Sequence, residues 1–146
     1  MLNYNSVIKN EMKQESISVK EISPVIKINL RGKKREFLTN VGKNLNMILP
    51  TEANTSTTSD KLTAIWLSPD EWMIISNELA SKDTNKSDLY EMLFNSISKT
   101  NLGAVIDVTD QFVQLELKGE NVYEIFSAGS PFNFNEFKEK KGSTTQ

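Results

Sequence analysis

The chain has 146 residues and a net charge of −2, with 38% hydrophobic and 25% charged residues, which is one ordinary globular domain by size and composition. It contains no Cys and no His, which excludes disulfides, thiolate nucleophiles, Cys- or His-ligated metals and both Ser-His-Asp and Cys-His catalysis. Its weakly acidic balance argues against nucleic acid as the main partner, and any catalysis would rest on carboxylates, Lys, Tyr or a borrowed cofactor, so the composition leans toward a binding or structural role.

In chain order, residues 1–16 are rich in Asn, Lys, Glu and Ser and are expected to form a flexible arm. They lack the apolar core of a signal peptide, and no apolar run approaches the ~20 residues of a membrane helix. A cytoplasmic protein without membrane partners is expected. Residues 17–30 alternate as two short extended pieces separated at Pro24. Residues 33–44 carry Phe37, Leu38 and Val41, with Leu45 beyond, at helical spacing. Residues 51–60 read as a loop. Residues 62–67 and 72–75 form a predicted hairpin around Ser68-Pro69-Asp70-Glu71, where Pro69 sets the turn φ and Ser68 bonds the turn backbone.

Residues 76–87 read as a second loop, with Asn85 or Ser87 capping a helix that buries Leu89, Met92, Leu93 and Ile97. Asn101 and Gly103 suit its end. Residues 104–106 read as a buried strand, 112–117 as an alternating one, and 120–127 as a short helix with Val122, Ile125 and Phe126 inward. The order is β-α-β-β-α-β and then β-α. The fold class is therefore α+β: a ferredoxin-like unit followed by an incomplete second β-α unit. The 112–119 strand is expected to join the first sheet beside residues 104–106. A single domain is expected over 17–137 and a flexible tail over 138–146.

Four local runs, taken together, resemble one family. They are Leu30-Arg31-Gly32; the run from Leu49 through Asn54 to Thr55; Trp66-Leu67-Ser68-Pro69-Asp70-Glu71-Trp72; and Val105-Ile106-Asp107-Val108-Thr109-Asp110, followed by Ala128-Gly129-Ser130-Pro131-Phe132. They resemble the gamma subunit of heterotetrameric sarcosine oxidase, within the superfamily of the glycine-cleavage T-protein and related folate-binding domains. The resemblance covers residues 18–137, and the tryptophan-flanked hairpin is its most specific part.

The resemblance implies a non-catalytic subunit that packs against the large alpha subunit and, through the complex, joins the beta and delta subunits. That complex demethylates sarcosine oxidatively to glycine and passes the one-carbon unit to tetrahydrofolate. Flavins, NAD and tetrahydrofolate are expected in the partner subunits and no cofactor in this chain. The alternatives are a free-standing folate-binding module of the superfamily and a truncated, inactive subunit. Two departures stand out. Ser130-Pro131-Phe132-Asn133-Phe134 replaces the family's Cys-Pro-Leu-Asp-Leu, and the family's further hairpin and final helix after Gln146 are absent, so the chain reads as C-terminally short.

No catalytic, cofactor-binding or metal-ligating residue is assigned. The motif and interface candidates are Arg31, Asn54, Trp66, Pro69, Asp70, Glu71, Trp72, Asp107, Asp110, Pro131 and Phe132. Asp70-Glu71 could supply a general base, but the sequence places no cation or second acid at a spacing that would tune them, so a solvated turn is expected. One of Trp66 and Trp72 is expected in the core and the other at an interface. Asp107 and Asp110 are expected to cap backbone rather than touch a pterin. Lys33-Lys34-Arg35 sits at a helix start, where the dipole disfavours cations, and reads as a solvated face rather than a phosphate or polyglutamate site.

Overall fold

A computed structural model describes residues 5–8, 11–14, 16–22, 24–79 and 88–146. The elements are β1 (Met12–Gln14), β2 (Ile17–Ile22), β3 (Val25–Arg31), α1 (Arg35–Leu45), β4 (Ser56–Thr58), β5 (Leu62–Ser68), β6 (Glu71–Leu79), α2 (Asp88–Leu93), β7 (Ala104–Asp107), β8 (Gln114–Lys118), α3 (Val122–Gly129) and α4 (Glu136–Glu139). A π-helical turn, Phe94–Ser98, continues α2, and a 3₁₀ turn, Thr109–Gln111, follows β7. The chain divides into two compact units: residues 25–109 with 142–146, and residues 1–24 with 110–141.

The larger unit has a five-stranded antiparallel sheet in the order β4-β5-β6-β3-β7. Without β4, the chain order β3-α1-β5-β6-α2-β7 and the spatial order β5-β6-β3-β7 are those of a ferredoxin-like split βαβ pair. Three side chains four residues apart, Phe37, Val41 and Leu45, bury one stripe of α1. The helix ends at Asn46, whose left-handed backbone turns the chain out of the helix. Leu93 and Ile97 extend the same spacing across the α2–π boundary, and both are fully buried. They meet Ile28, Leu30, Ala64, Trp72, Ile74 and Val105 in one core. Residues 142–146 lie along the edge of β4 and its turn. Ser56 N–H donates to the Gly142 carbonyl at 2.8 Å, and Thr144 N–H donates to the Asn54 carbonyl at 2.9 Å.

The smaller unit has a three-stranded antiparallel sheet, β1-β2-β8, with β2 central. Met12 lies opposite Val19, and Val19 lies opposite Leu117. A group of rings gathers after α3. Phe134 lies 5.3 Å from Phe126, 5.1 Å from Phe132 and 5.8 Å from Phe137, between ring centroids.

Several elements differ from expectation. β1 falls inside the expected N-terminal arm, α4 runs across the expected domain end at 137 into the expected tail, and the 142–146 contacts fall inside that tail. β4 lies in what reads as a loop; its Ser-Thr-Thr stretch has no apolar alternation, and it pairs with β5 at the edge of the sheet. β6 runs on to Leu79, so the expected second loop loses residues 76–79, while its candidate caps Asn85 and Ser87 lie outside the described residues. β7 is not a buried strand: only Val105 is buried, because β7 is the other edge. β8 pairs with β2 and not with β7, since Pro24 divides the 17–30 segment between two sheets. On α3, Val122 is buried whereas Ile125 and Phe126 are exposed, and Met92 on α2 is exposed as well.

Candidate functional site

The β5–β6 hairpin closes through Pro69 and Asp70, with Ser68 opposite Glu71 and Trp66 opposite Trp72. The unequal spacing leaves Leu67 as a bulge, and the Gln146 amide donates to its carbonyl at 2.6 Å. Ser68 Oγ donates to Asp70 Oδ1 at 2.9 Å, which fixes the acid over the turn. β3 lies beside β6 with Arg31 opposite Glu71. Just past β3, Gly32 N–H donates to the Asp70 carbonyl at 3.0 Å and ties the hairpin tip to the start of α1.

This register assembles a row of charges. Arg31 donates to Glu71 Oε2 at 2.7 Å, and Asn29 Nδ2 donates to Glu71 Oε1 at 2.8 Å. Lys33 Nζ lies 3.5 Å from Asp70 Oδ2. The Arg31 guanidinium, helped by the Asn29 amide, holds the Glu71 carboxyl below the usual range. The Ser68 hydroxyl lowers Asp70, with Lys33 adding to it, while Glu71 raises Arg31 further. The expectation of an untuned, solvated turn is therefore corrected. Two cations forty and thirty-seven positions back in the chain reach these acids through strand pairing, which local spacing cannot reveal. The direction of tuning matters. Both carboxyls are pushed away from neutrality, opposite to what a general acid or base at pH 7 needs.

Trp72 is the core tryptophan. It is 2% exposed, its ring centroid lies 5.8 Å from that of Phe37, and its Nε1 donates to the Pro50 carbonyl at 2.8 Å. Trp66 is half-buried on the same face, and with Pro69, Gly32 and Lys33 it lines a hollow of about 160 Å³. Arg31, Trp66, Pro69, Asp70, Glu71 and Trp72 thus come together at one end of the sheet.

The other candidates do not join them. Asn54 is an exposed turn residue with φ 58°. Asp107 lies at the far end of β7, opposite Ile28, and its Oδ1 accepts the Thr109 N–H at 2.9 Å, the expected backbone cap. Asp110 and Pro131 are exposed in the smaller unit, and Phe132 belongs to its ring group.

Sequence reading passed over Asn29 and Ile48. Asn29 shares the strand face of Arg31, two residues on, and that alternation was its available signal. Ile48 sits between buried Met47 and Leu49 and is 83% exposed. Beside it lies a hollow of about 580 Å³ lined by Leu38, Gly42, Lys43 and Met47, among others. Among the described residues, no three acidic side chains gather as a metal site requires, and no helix is long and apolar enough to cross a membrane.

No protein-family model matches the chain, and no curated protein matches it. Among solved structures, it is similar to a chain of the heterotetrameric sarcosine oxidase from Corynebacterium sp. U-96 in complex with pyrrole 2-carboxylate. The TM-score is 0.71 at 17% identity, over 85% of this chain and 61% of that one. At that identity the likeness is one of fold, and the chain spans less than two thirds of its neighbour's length.

Proposed function

We propose that this chain is an accessory, gamma-type subunit of a sarcosine oxidase-type complex, without a catalytic role of its own. The observation that carries the reading is the fold shared with a chain of a heterotetrameric sarcosine oxidase. The hairpin agrees with it. The residues that most resemble the family build a charge-paired sheet end, and the carboxyls of both acids there are held below their usual range. In this reading the alpha subunit is the direct partner and the beta and delta subunits complete the assembly. Flavins, NAD and tetrahydrofolate reside in those partners, where sarcosine is demethylated to glycine in the cytoplasm.

The test is co-expression of the tagged chain with the sarcosine oxidase-type flavoprotein subunits of its source organism. The expected result is a stable complex that consumes oxygen on addition of sarcosine, together with a chain that is colourless and inactive when purified alone. A chain that stays free of those subunits, or that binds tetrahydrofolate by itself, overturns the proposal; the second result establishes the free-standing folate-binding module instead.

A further inference from the structure

Three hollows adjoin on one side of the larger unit. The hollow under Trp66 and Pro69 shares Leu38 and Thr51 with the one beside Ile48. The Ile48 hollow in turn shares Thr39 and Lys43 with a third, of about 370 Å³, that reaches Arg35 and Glu36. Together they form a groove along the outer side of α1, from the hairpin tip to the turn after the helix. A single exposed isoleucine is ordinary. Ile48 differs because it lines a hollow with a predominantly apolar lining, and that hollow adjoins the one under half-buried Trp66.

The charges along the groove favour one sign. Arg35 and Lys43 form no ion pair among the described residues, and Lys33 is held only by the exposed contact to Asp70. Among the described residues, Glu36 is the one acid lining the groove. Lys33, Lys34 and Arg35 crowd the N-terminal end of α1, where the helix dipole opposes positive charge, and Lys34 contributes no side-chain cap. In a chain of net charge −2, Lys33 and Arg35 stand beside the groove at the helix end where the dipole opposes them, and Lys43 adds a cation in the last turn, where the dipole favours it, so the groove carries a positive rim from end to end.

From these features we infer that the α1 groove docks a protein segment of the partner subunit that carries apolar side chains flanked by Asp and Glu. The apolar residues seat against Ile48 and Leu38 and beneath Trp66, and the acids face Arg35 and Lys43. Opposite charges speed and orient the encounter while the apolar contact holds it. This inference rests on the reading of the chain as a subunit and names the face and the partner chemistry that reading leaves open.

The experiment uses the full chain co-expressed with the flavoprotein subunits, as wild type, I48D, the double variant R35E with K43E, and E91K as an exposed control on α2. Each variant is first checked for wild-type thermal unfolding as the isolated chain; none alters a buried residue. The inference predicts that I48D weakens the complex at least tenfold. It also predicts that the double variant slows association and removes its salt dependence, that E91K assembles as wild type, and that a photo-crosslinker at position 48 captures an acid-rich peptide of the partner. Unchanged affinity in both groove variants, or cross-links only to a second copy of this chain, overturns the groove while leaving the subunit reading intact. Failure of the wild-type chain to assemble overturns both.

Discussion

Trp72 is where the hairpin and the core meet. Its ring fills space against Phe37, and its indole N–H satisfies the Pro50 carbonyl. Replacing it leaves a cavity and an unpaired carbonyl, so Trp72→Ala is expected to cost about 3–5 kcal/mol in denaturant unfolding of the isolated chain. Half-buried Trp66 should cost clearly less; equal losses at the two positions would show that the core assignment is wrong. Glu71 offers a test with pH. Its folded pKa is depressed by Arg31 and Asn29, so its contribution to stability is present above the unfolded value of about 4.3 and is lost as pH falls through the lower folded value. Glu71→Gln should therefore destabilise the chain at pH 7 and flatten the fall in stability below about pH 4.5. A variant whose stability falls as steeply with acid as wild type would count against the Arg31–Glu71 pair.

Close approach between elements is as informative as side chains. Gly103, just before β7, has no room for a Cβ, which would meet the Arg31 carbonyl and the Phe37 ring. Gly103→Ala is expected to cost about 1–3 kcal/mol by overpacking, read by the same unfolding experiment; a neutral result would mean that β7 does not pack so closely on β3. In the smaller unit, Val19 lies opposite Leu117 across β2 and β8. The chain has no cysteine, so Val19→Cys with Leu117→Cys introduces the only thiols. Directly opposed strand positions lie within disulfide reach, and mild oxidation should consume both thiols. Thiols that stay free after oxidation of the folded protein would contradict this register.

How much of these elements is readable in the sequence depends on how local their signals are. The stripe of Phe37, Val41 and Leu45 announces α1, and Pro69-Asp70 between two apolar runs announces the β5–β6 hairpin. The order of strands and helices then suffices for the ferredoxin-like unit. The partner of β8 is not local: β2 lies about a hundred residues earlier, and nothing in either strand encodes their pairing. The Arg31–Glu71 contact is hidden for the same reason, and β4 is hidden because its Ser-Thr-Thr stretch carries no apolar alternation.

At the scale of the whole molecule, a fold similar to that of a sarcosine oxidase chain carries a sheet end whose carboxyls neighbouring groups hold below their usual range. The role proposed for the chain is assembly with flavoprotein subunits. Native mass spectrometry of the co-expressed proteins, before and after flavin release, tests this most directly. One copy of this chain in a complex with the flavoprotein subunits is expected, with all flavin mass leaving from those partners. A free chain beside a fully formed flavoprotein assembly, or flavin or folate mass carried by this chain itself, would contradict it.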